Sequence, residues 1–375
     1  MSKLFVVFCM DTEGPCDDPG NSELLKDWKE VDFAMDKLFS EDFRSKYRDS
    51  KGNKFKIGWF FLTWSGFITN PRNRDFGYHK VRDHYLNRWG RQIESYGDEE
   101  CWHYHHPPRS GVGNEWSSDW LSSCEYKTII SRQIIERSWF PICFRAGGTI
   151  MDKNLSQWVD KWFPFDYTNR APLKFPEMDW SDGINSWQPY VPDPVEFKKK
   201  GSGNRLMARC MDLLTGTSVL SDEDIIQAFK EATSEGKAII SVFDHDYRDI
   251  EKRICDFLNK LQKFNKDFEE VKLEYKSPSE AIAQYLPAQE GKKLRLSFKS
   301  TEGKFEIETN KDIHQNIPWI AMEDKKGLYS QIEKGVNKIS ASKWEINKDN
   351  FLNAKRIGIA VSNNHMETDV LTIKI

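Results

Sequence analysis

Short apolar runs recur along the first two thirds of the chain, each followed by polar residues and then by a stretch with helical spacing. The runs are too uniformly apolar to alternate, which is typical of parallel strands covered on both faces. This pattern predicts an α/β fold. The predicted strands are Leu4–Met10, Lys56–Thr63, Asp98–His103, Ser138–Arg145 and Lys237–Phe243.

Helical patterns lie between these runs, over Leu24–Phe43 and over Asp222–Glu235, where a Ser-Asp-Glu-Asp beginning supplies carboxylates to the first turn. A chain of 375 residues and 44.0 kDa has room for a barrel of about 250 residues with an appendage. The length therefore favours a parallel barrel over an open sheet. In such barrels the chemistry lies at the carboxyl ends of the strands.

The pattern changes to alternation from about residue 290. Alternating apolar and polar residues around short turns are typical of β-hairpins. We expect a barrel over residues 1–288 and a small antiparallel β-sandwich-like module of unknown role over residues 289–375. Residues 168–205, rich in Pro, Trp, Asp and Gly, are predicted to form a long ordered insertion, with a lid as one interpretation. The predicted hairpins join Lys293–Phe298 to Lys304–Thr309 and Arg356–Val361 to Val370–Ile375.

Composition narrows the classes of function. The chain has 55 Lys and Arg against 58 Asp and Glu, so its net charge of -3 recruits neither nucleic acid nor an anionic membrane. Seven cysteines without a CxxC pair are typical of a reduced compartment. The opening residues do not have the pattern of a signal peptide, and no apolar run is long enough to span a bilayer. We expect a cytoplasmic protein without nucleic-acid partners or membrane insertion, and the oligomeric state stays open.

Two groups of possible metal ligands come directly after predicted strands. Asp11 and Glu13 follow the first strand, where alternate positions can place both carboxylates on one side to share a metal or a proton. His103, His105 and His106 follow the third, and two of these imidazoles can converge on one ion. The sequence does not decide which two. Acids at the edge of a loop and a surface histidine cluster would give the same pattern.

Two further groups follow later strands. Arg145 precedes Ala-Gly147-Gly, which would let the backbone approach a ligand while the guanidinium holds a carboxylate; a structural ion pair is the alternative. His245 lies between Asp244 and Asp246, and a neighbouring carboxylate raises the pKa of an imidazole, as a general acid near neutral pH requires. A barrel would bring all four groups to one pocket. Such a set suits metal-assisted hydrolysis of an amide or ester.

The order and spacing of these motifs resemble the polysaccharide deacetylase family, the NodB-homology or carbohydrate esterase 4 group, over about residues 1–286. The resemblance implies a distorted (β/α)7 barrel and one divalent metal, with Zn²⁺ foremost. It also implies roles for individual residues. These are Asp11 as catalytic base, Glu13 and two of His103, His105 and His106 as metal ligands, Arg145 as the residue that orients the base, and His245, tuned by Asp244 or Asp246, as proton donor.

The sequence departs from the family pattern at four points. Glu13 stands where the family more often has Asp, and the histidines are closer together than the family's i, i+4 spacing. Arg145 is followed by Ala-Gly-Gly instead of Pro-Tyr. A fourth motif is not evident, and Asp166-Tyr-Thr is the nearest candidate. The motifs therefore specify the superfamily better than they specify the activity.

The resulting hypothesis is a metal-dependent hydrolase that removes an N- or O-acetyl group from a sugar, such as an intracellular precursor of lipopolysaccharide, O-antigen or capsule. An acetylated sugar or oligosaccharide is the expected partner. The alternatives are a non-catalytic carbohydrate-binding protein with a degenerate barrel, and another metallohydrolase acting on an amidine or cyclic amide. The aromatic substrate-binding candidates could equally be core residues. The expected substrate-binding residues are Trp64, Gly147, Trp187 and Tyr190, with Trp180 as a further stacking face.

Overall fold

A parallel barrel occupies the first part of the chain. The computed structural model describes residues 1–113, 115, 117, 123–174, 178–214, 219–288 and 291–375. The strands of the first part are β1 (Ser2–Thr12), β2 (Gly58–Leu62), β3 (Glu99–Tyr104), β4 (Cys143–Ala146), β5 (Phe165–Asn169), β6 (Leu206–Arg209), β7 (Met211–Asp212), β8 (Lys237–His245) and β9 (Val271–Tyr275). The helices are α1 (Trp28–Leu38), α2 (Glu41–Lys46), α3 (Lys80–Tyr96), α4 (Glu125–Arg137), α5 (Lys153–Trp162), α6 (Asp222–Glu235), α7 (Glu251–Asn265) and α8 (Pro278–Ala283).

The strands form one parallel sheet in the order β6-β5-β4-β3-β2-β1-β8-β7, and β9 pairs with the first half of β1. Only Cys210 separates β6 from β7, so both edges of the sheet belong to one segment of chain and the barrel is nearly closed. All five strands predicted from the apolar runs are present. The prediction of a parallel α/β barrel is therefore confirmed.

Local capping explains where the predicted helices begin and end. The Leu24–Phe43 pattern contains two helices, because the Ser40 side chain accepts a hydrogen bond from the Phe43 amide and starts α2 separately from α1. The α6 helix has the predicted bounds. Ser221 and Asp224 cap its start reciprocally, and Gly236 ends it with a φ of +78°.

Alternate residues of each strand face the barrel interior, since side chains of a strand point to opposite faces in turn. In β1, Val7 and Cys9 pack in an interior cluster, whereas Val6 and Phe8 pack in the cluster formed with the surrounding helices. The interior cluster is a layer of thiols and rings below the carboxyl ends of the strands. It includes Cys9, Phe60, Cys101, Cys143, Tyr167, Cys210 and Phe243.

The last part of the chain forms two four-stranded antiparallel sheets, in the orders β10-β11-β15-β14 and β13-β12-β16-β17. Their apolar faces share one core, and the expected antiparallel module is confirmed. The boundary between residues 288 and 289 stays a prediction, and residues 289 and 290 lie outside the described chain. The strands are β10 (Leu296–Ser300), β11 (Lys304–Thr309), β12 (Trp319–Asp324), β13 (Tyr329–Gln331), β14 (Val336–Ser340), β15 (Lys343–Asn347), β16 (Ala354–Ser362) and β17 (Thr368–Lys374).

The β module and the barrel share buried residues along α4 and α5. Trp319 of β12 packs edge-on against Trp162 of α5 with ring centroids 4.6 Å apart, and its Nε1 donates to Ser131 Oγ of α4 at 3.2 Å. A Cβ on Gly358 of β16 would lie 2.6 Å from Ile134 Cγ2, so this close contact requires glycine. Among the helices of the described residues, none has the length and apolarity that a membrane crossing needs.

Candidate active site

The carboxyl ends of β1 and β3 bring together three residues that could hold a metal ion. Glu13, His103 and His105 each offer one ligand atom, and these atoms lie within 4.8 Å of one another. Glu13 Oε1 is 3.5 Å from His103 Nε2 and 3.4 Å from His105 Nε2, and the two imidazole nitrogens are 3.1 Å apart. All three side chains are buried. Two imidazoles and a carboxylate are a donor set that suits Zn²⁺.

The third clustered histidine lies outside this group. His105 and His106 follow the end of β3 at Tyr104, and only His105 brings its Nε2 to that of His103, at 3.1 Å. His106 Nδ1 is 3.3 Å from the hydroxyl of Tyr104, which in turn donates to Glu125 Oε2 at 3.3 Å. The structure therefore places His106 in a different polar network from the one that contains Glu13.

The orientation of His103 fits a metal ligand. Its Nδ1 lies 2.9 Å from the main-chain oxygen of Arg145, and because a carbonyl only accepts, this nitrogen carries the proton. The lone pair is then on Nε2, which faces Glu13 and His105. Holding one imidazole nitrogen in a hydrogen bond so that the other can bind a metal is usual in metal sites. The residues present therefore fit a divalent ion.

Gly147 and Trp64 lie against the ring of His105. A Cβ on Gly147 would lie 2.1 Å from Cδ2 and 2.2 Å from Cγ of the imidazole, so only glycine leaves room for the ring. Trp64 is fully buried and stacks on the same ring, with centroids 5.0 Å apart and planes at 24°. Both residues therefore contact the ring of His105, and their predicted role in substrate binding stays a prediction.

Asp11 and Arg145 form a buried ion pair beside the metal group. Arg145 Nε lies 2.9 and 3.0 Å from the two carboxylate oxygens, and Nη1 donates to the main-chain oxygen of Tyr167 at 2.9 Å. Burial would raise the pKa of Asp11, but Arg145, followed by His103 and His245, outweighs it and leaves the pKa below its usual value. Asp11 is therefore ionised at neutral pH, as a base must be.

Glu13 is also held by an arginine. Arg74 Nη2 lies 3.0 Å from Glu13 Oε2. Burial opposes ionisation of Glu13, yet the charge of Arg74 outweighs it and keeps the pKa of Glu13 well below the usual range. Arg74 is not among the residues that the sequence predicts for the site, because it lies in the segment between β2 and α3 without periodicity or a motif.

Asp246 supports the backbone after β1 and makes no hydrogen bond to His245 among the described contacts. Its carboxylate accepts from the amide of Glu13 at 2.8 Å, from the amide of Gly14 at 3.0 Å and from the hydroxyl of Tyr85 at 2.8 Å. Burial raises the pKa of Asp246 to about 6, and these hydrogen bonds oppose the rise. The structure thus shows Asp246 holding the Glu13 segment, and its expected catalytic role stays a prediction.

His245 completes the site from the end of β8. Its Nε2 lies 3.9 Å from Asp11 Oδ2 and 3.8 Å from Glu13 Oε1. Arg248 Nη1 lies 3.2 Å from Nδ1, and because arginine only donates, Nδ1 accepts and Nε2 carries the proton. Burial lowers the pKa of His245 to about 3, although Glu13 and Asp11 oppose this, and Arg248 lowers it further. The imidazole is neutral at pH 7.

The expected rise in the pKa of His245 is therefore wrong. Asp244, predicted to raise it, is paired elsewhere: it accepts from Arg253 Nη1 at 3.0 Å, and its Oδ1 is 3.9 Å from His245 Nδ1. Adjacent residues of a strand point to opposite faces, which separates Asp244 and Asp246 from the His245 ring. Sequence adjacency suggested a contact that strand geometry prevents.

The other aromatic candidates lie in the core. The main-chain oxygen of Trp187 accepts from the amide of Ile239, near the start of β8 and so at the opposite end of the barrel from His245. Tyr190 donates its hydroxyl to the main-chain oxygen of Phe197 at 3.0 Å. Both are buried, and Trp180 is fully buried as well, so the 168–205 insertion packs against the barrel where the structure describes it. Their predicted contact with substrate is not supported.

Asp166, the candidate for the fourth motif, is also distant from the metal group along its strand. It is the second residue of β5, its Oδ2 accepts from Arg205 Nε at 3.0 Å, and its Oδ1 accepts from the amide of Thr168. These contacts are a structural ion pair and a local turn. Asp166 therefore takes no direct part in the arrangement around Glu13.

Comparisons with known proteins leave the family open. No family model matches the chain, and no curated protein matches it. Among solved structures, the chain is similar to a tri-modular GH5 (subfamily 4) endo-beta-1,4-glucanase from Bacillus licheniformis complexed with cellotetraose, with 9% identity and a TM-score of 0.31 over 100% of this chain and 77% of that one. It is also similar to the complex of Porphyromonas gingivalis RgpB pro- and mature domains, with 9% identity and a TM-score of 0.18 over 100% and 85% of the two chains. Likenesses this weak carry no argument, so the fold rests on the strand order and the site on its geometry.

Proposed function

We propose that the protein is a metal-dependent hydrolase that removes an acetyl group from a sugar. The observation that carries the proposal is the convergence of Glu13, His103 and His105 beside the Asp11–Arg145 pair at one end of a parallel barrel. If β6 and β7 are counted as one strand interrupted at Cys210, and β9 is left out because it pairs with β1 off the main strand order, the described residues form a barrel of seven strands. Seven is the number in the deacetylase-type barrel that the sequence resemblance implies, which supports this assignment.

Glu13, His103 and His105 would hold the ion, with Zn²⁺ foremost because of the donor set. When bound, such an ion lowers the pKa of a water molecule towards neutrality and polarises the acyl carbonyl. His103 already presents an unprotonated Nε2, and Glu13 already presents Oε1. With His105 Nε2, these ligand atoms lie close enough together to converge on one ion.

Asp11 would act as the base. It takes one proton from the attacking water as the new bond forms between the water oxygen and the acyl carbon. Arg145 keeps the carboxylate in place through Nε. Because His245 is neutral, the proton for the departing amine or alcohol comes from Asp11, and the bond from the acyl carbon to that group breaks as the proton arrives.

His245 would act as a hydrogen-bond donor and not as the source of that proton. Its Nε2–H faces the same space as Asp11 and Glu13, and Arg248 keeps the proton on this nitrogen. A fixed neutral donor stabilises the oxygen that becomes negative as water adds to the acyl group, without having to ionise first. This role replaces the general acid that the sequence predicted.

The test is acetate release from a panel of N- and O-acetylated sugars, measured with zinc added and with a chelator added. We expect release that the chelator abolishes and zinc restores. Saturable sugar binding without acetate release would instead support the carbohydrate-binding alternative. Hydrolysis of amidines or cyclic amides, with no acetate released from any sugar, would support the third candidate. An intracellular precursor of a surface polysaccharide stays the predicted substrate.

A further inference from the structure

Arg74 binds one carboxylate oxygen of Glu13, and the other oxygen faces two imidazoles. Its Nη2 binds Oε2 at 3.0 Å, and the other oxygen, Oε1, faces the Nε2 atoms of His103 and His105 at 3.5 and 3.4 Å. The Arg74 side chain is only 5% exposed. The guanidinium therefore lies behind the carboxylate, on the side away from the imidazoles.

The two rings around Arg74 lie next to site histidines. Its Cζ is 4.6 Å from the centroid of Tyr247, which follows His245 by two residues, and 5.7 Å from that of Trp64, which stacks on His105. A guanidinium over an aromatic face is attracted by the ring quadrupole. Arg74 therefore packs against rings on the His105 side and on the His245 side of the site.

The burial of Arg74 is not explained by a gain in folding stability. Nε and Nη1 of Arg74 are buried and have no hydrogen-bond partner among the described residues. Arg44, equally buried, uses Nε, Nη1 and Nη2 in bonds to Leu38, Phe55 and Asp98. An unsatisfied buried donor lowers the stability of the folded state. Arg44 has the contacts of a structural ion pair, whereas the polar contact given for the Arg74 guanidinium among the described residues is Glu13.

We infer that Arg74 is a positioning residue for the metal ligand Glu13: it holds Oε2 so that Oε1 is the oxygen presented to the ion. The inference rests on the proposed metal site. Asp246 holds the main chain of Glu13 and Arg74 holds its carboxylate, so the residue is fixed at both ends. A glutamate in place of the shorter aspartate has one more rotatable bond, which this second anchor fixes.

The test compares Arg74→Met with Arg72→Met in the full chain. Methionine keeps a long apolar side chain between Trp64 and Tyr247, and Arg72 is a matched control on the same segment, 40% exposed and paired with Asp18. Zinc affinity is measured by competition with a chromophoric chelator, and the site geometry by the absorption spectrum of bound Co²⁺. We expect Arg74→Met to weaken zinc binding about 10- to 100-fold and to change the Co²⁺ spectrum, as losses around a metal ligand do.

Arg72→Met should bind zinc as the wild type does, and Arg74→Lys should recover part of the loss because it keeps a positive charge. The melting temperature of metal-free Arg74→Met should fall, since Glu13 is left as a buried carboxylate without its cation, so zinc affinity of the folded variant is the deciding readout. If Arg74→Met does not fold, Arg74→Gln replaces it with the same expected loss of affinity. Wild-type zinc affinity in the folded variant overturns the inference, whatever its melting temperature. A wild-type protein that binds no zinc overturns the proposed metal site itself.

Discussion

Two layers of the barrel interior lie one above the other on the same strands and differ in chemistry. The upper layer, at the carboxyl ends, carries ionisable site residues, and the lower layer carries cysteines. The alternation of side chains along a strand puts residues two apart on the same inward face. The pairs, lower residue first, are Cys9 with Asp11, Cys101 with His103, Cys143 with Arg145 and Cys210 with Asp212.

The two layers are equally buried and respond to burial in opposite ways. In the lower layer, burial raises the pKa of Cys9 well above its usual value and that of Cys143 to about 11, so these thiols stay neutral. In the upper layer Asp11 stays charged because Arg145 compensates for the loss of water. A buried charge persists only with a partner, whereas a thiol simply keeps its proton. The lower layer is therefore uncharged, and the charged groups of the layer above it are held in ion pairs.

The largest expected effect comes from comparing substitutions in the upper and the lower layer of β3. His103→Ala should abolish zinc binding, because it removes one of three ligands. Cys101→Ala, two residues earlier on the same face, should keep the metal and lower the free energy of unfolding by roughly 1 kcal/mol. Elemental analysis and thermal unfolding measure the two quantities. Equal zinc content in His103→Ala and the wild type would remove the ligand assignment.

The same comparison within β1 tests the base. Asp11→Asn should slow acetate release roughly 10²- to 10⁴-fold at unchanged zinc content, because the amide cannot take the proton. Cys9→Ala, directly below, should keep a rate close to that of the wild type. Steady-state kinetics on an acetylated sugar give kcat and KM separately, and an unchanged kcat in Asp11→Asn rules it out as base.

His245→Ala should keep the metal and lose turnover. Removal of one fixed hydrogen-bond donor lowers kcat about 10²- to 10³-fold. Arg248→Met, which releases Nδ1 of His245 and with it the preference for the Nε2–H form, should lower kcat by a smaller factor. Zinc content and kcat are measured on both variants. Loss of zinc in His245→Ala would instead make this residue part of the metal site.

Gly147 tests how closely the upper layer is packed. Gly147→Ala should weaken zinc binding about tenfold, because its Cβ would overlap the ring of His105 and displace it. Gly90→Ala in α3 is the matched control, since a Cβ there comes no nearer than 3.9 Å to Leu86 and alanine favours a helix. Zinc titration of the two variants is the measurement. The same affinity in both would mean that His105 tolerates displacement.

The smallest expected effect is on the pH dependence of the melting temperature. It concerns a buried imidazole between the barrel and the β module. His314 Nε2 lies 3.0 Å from the main-chain oxygen of Asp160, and burial lowers its pKa, opposed by the hydrogen bonds to Asn364 and Asp160. Below about pH 6.5 the unfolded chain binds a proton here that the folded chain does not. Stability is therefore lost as the pH falls through that range. His314→Gln should show a shallower decline in melting temperature from pH 7 to pH 5, and a decline as steep as that of the wild type would contradict this account.

Local patterns predicted much of the fold and part of the site. Uniform apolar runs marked the strands, and the alternation after residue 290 marked the antiparallel module, because both patterns reflect which faces are buried. The ends of the runs identified Asp11, Glu13, Arg145 and His245. The sequence left Tyr190 and Trp187 open between substrate contact and core, since an aromatic side chain fits a core as well as a sugar-binding surface, and both are buried in the structure.

The sequence by itself determined which residues share a face within each strand, because side chains of a strand alternate between two faces with a repeat of two residues. It thereby placed His103 over Cys101 and Asp11 over Cys9. Only the tertiary structure decided that Arg74 meets Glu13 and that Arg248 meets His245. These pairings depend on how separate segments approach one another, and the pKa values depend on the burial that follows. The direction in which the pKa of His245 moves was therefore set by packing and not by its neighbours in the chain.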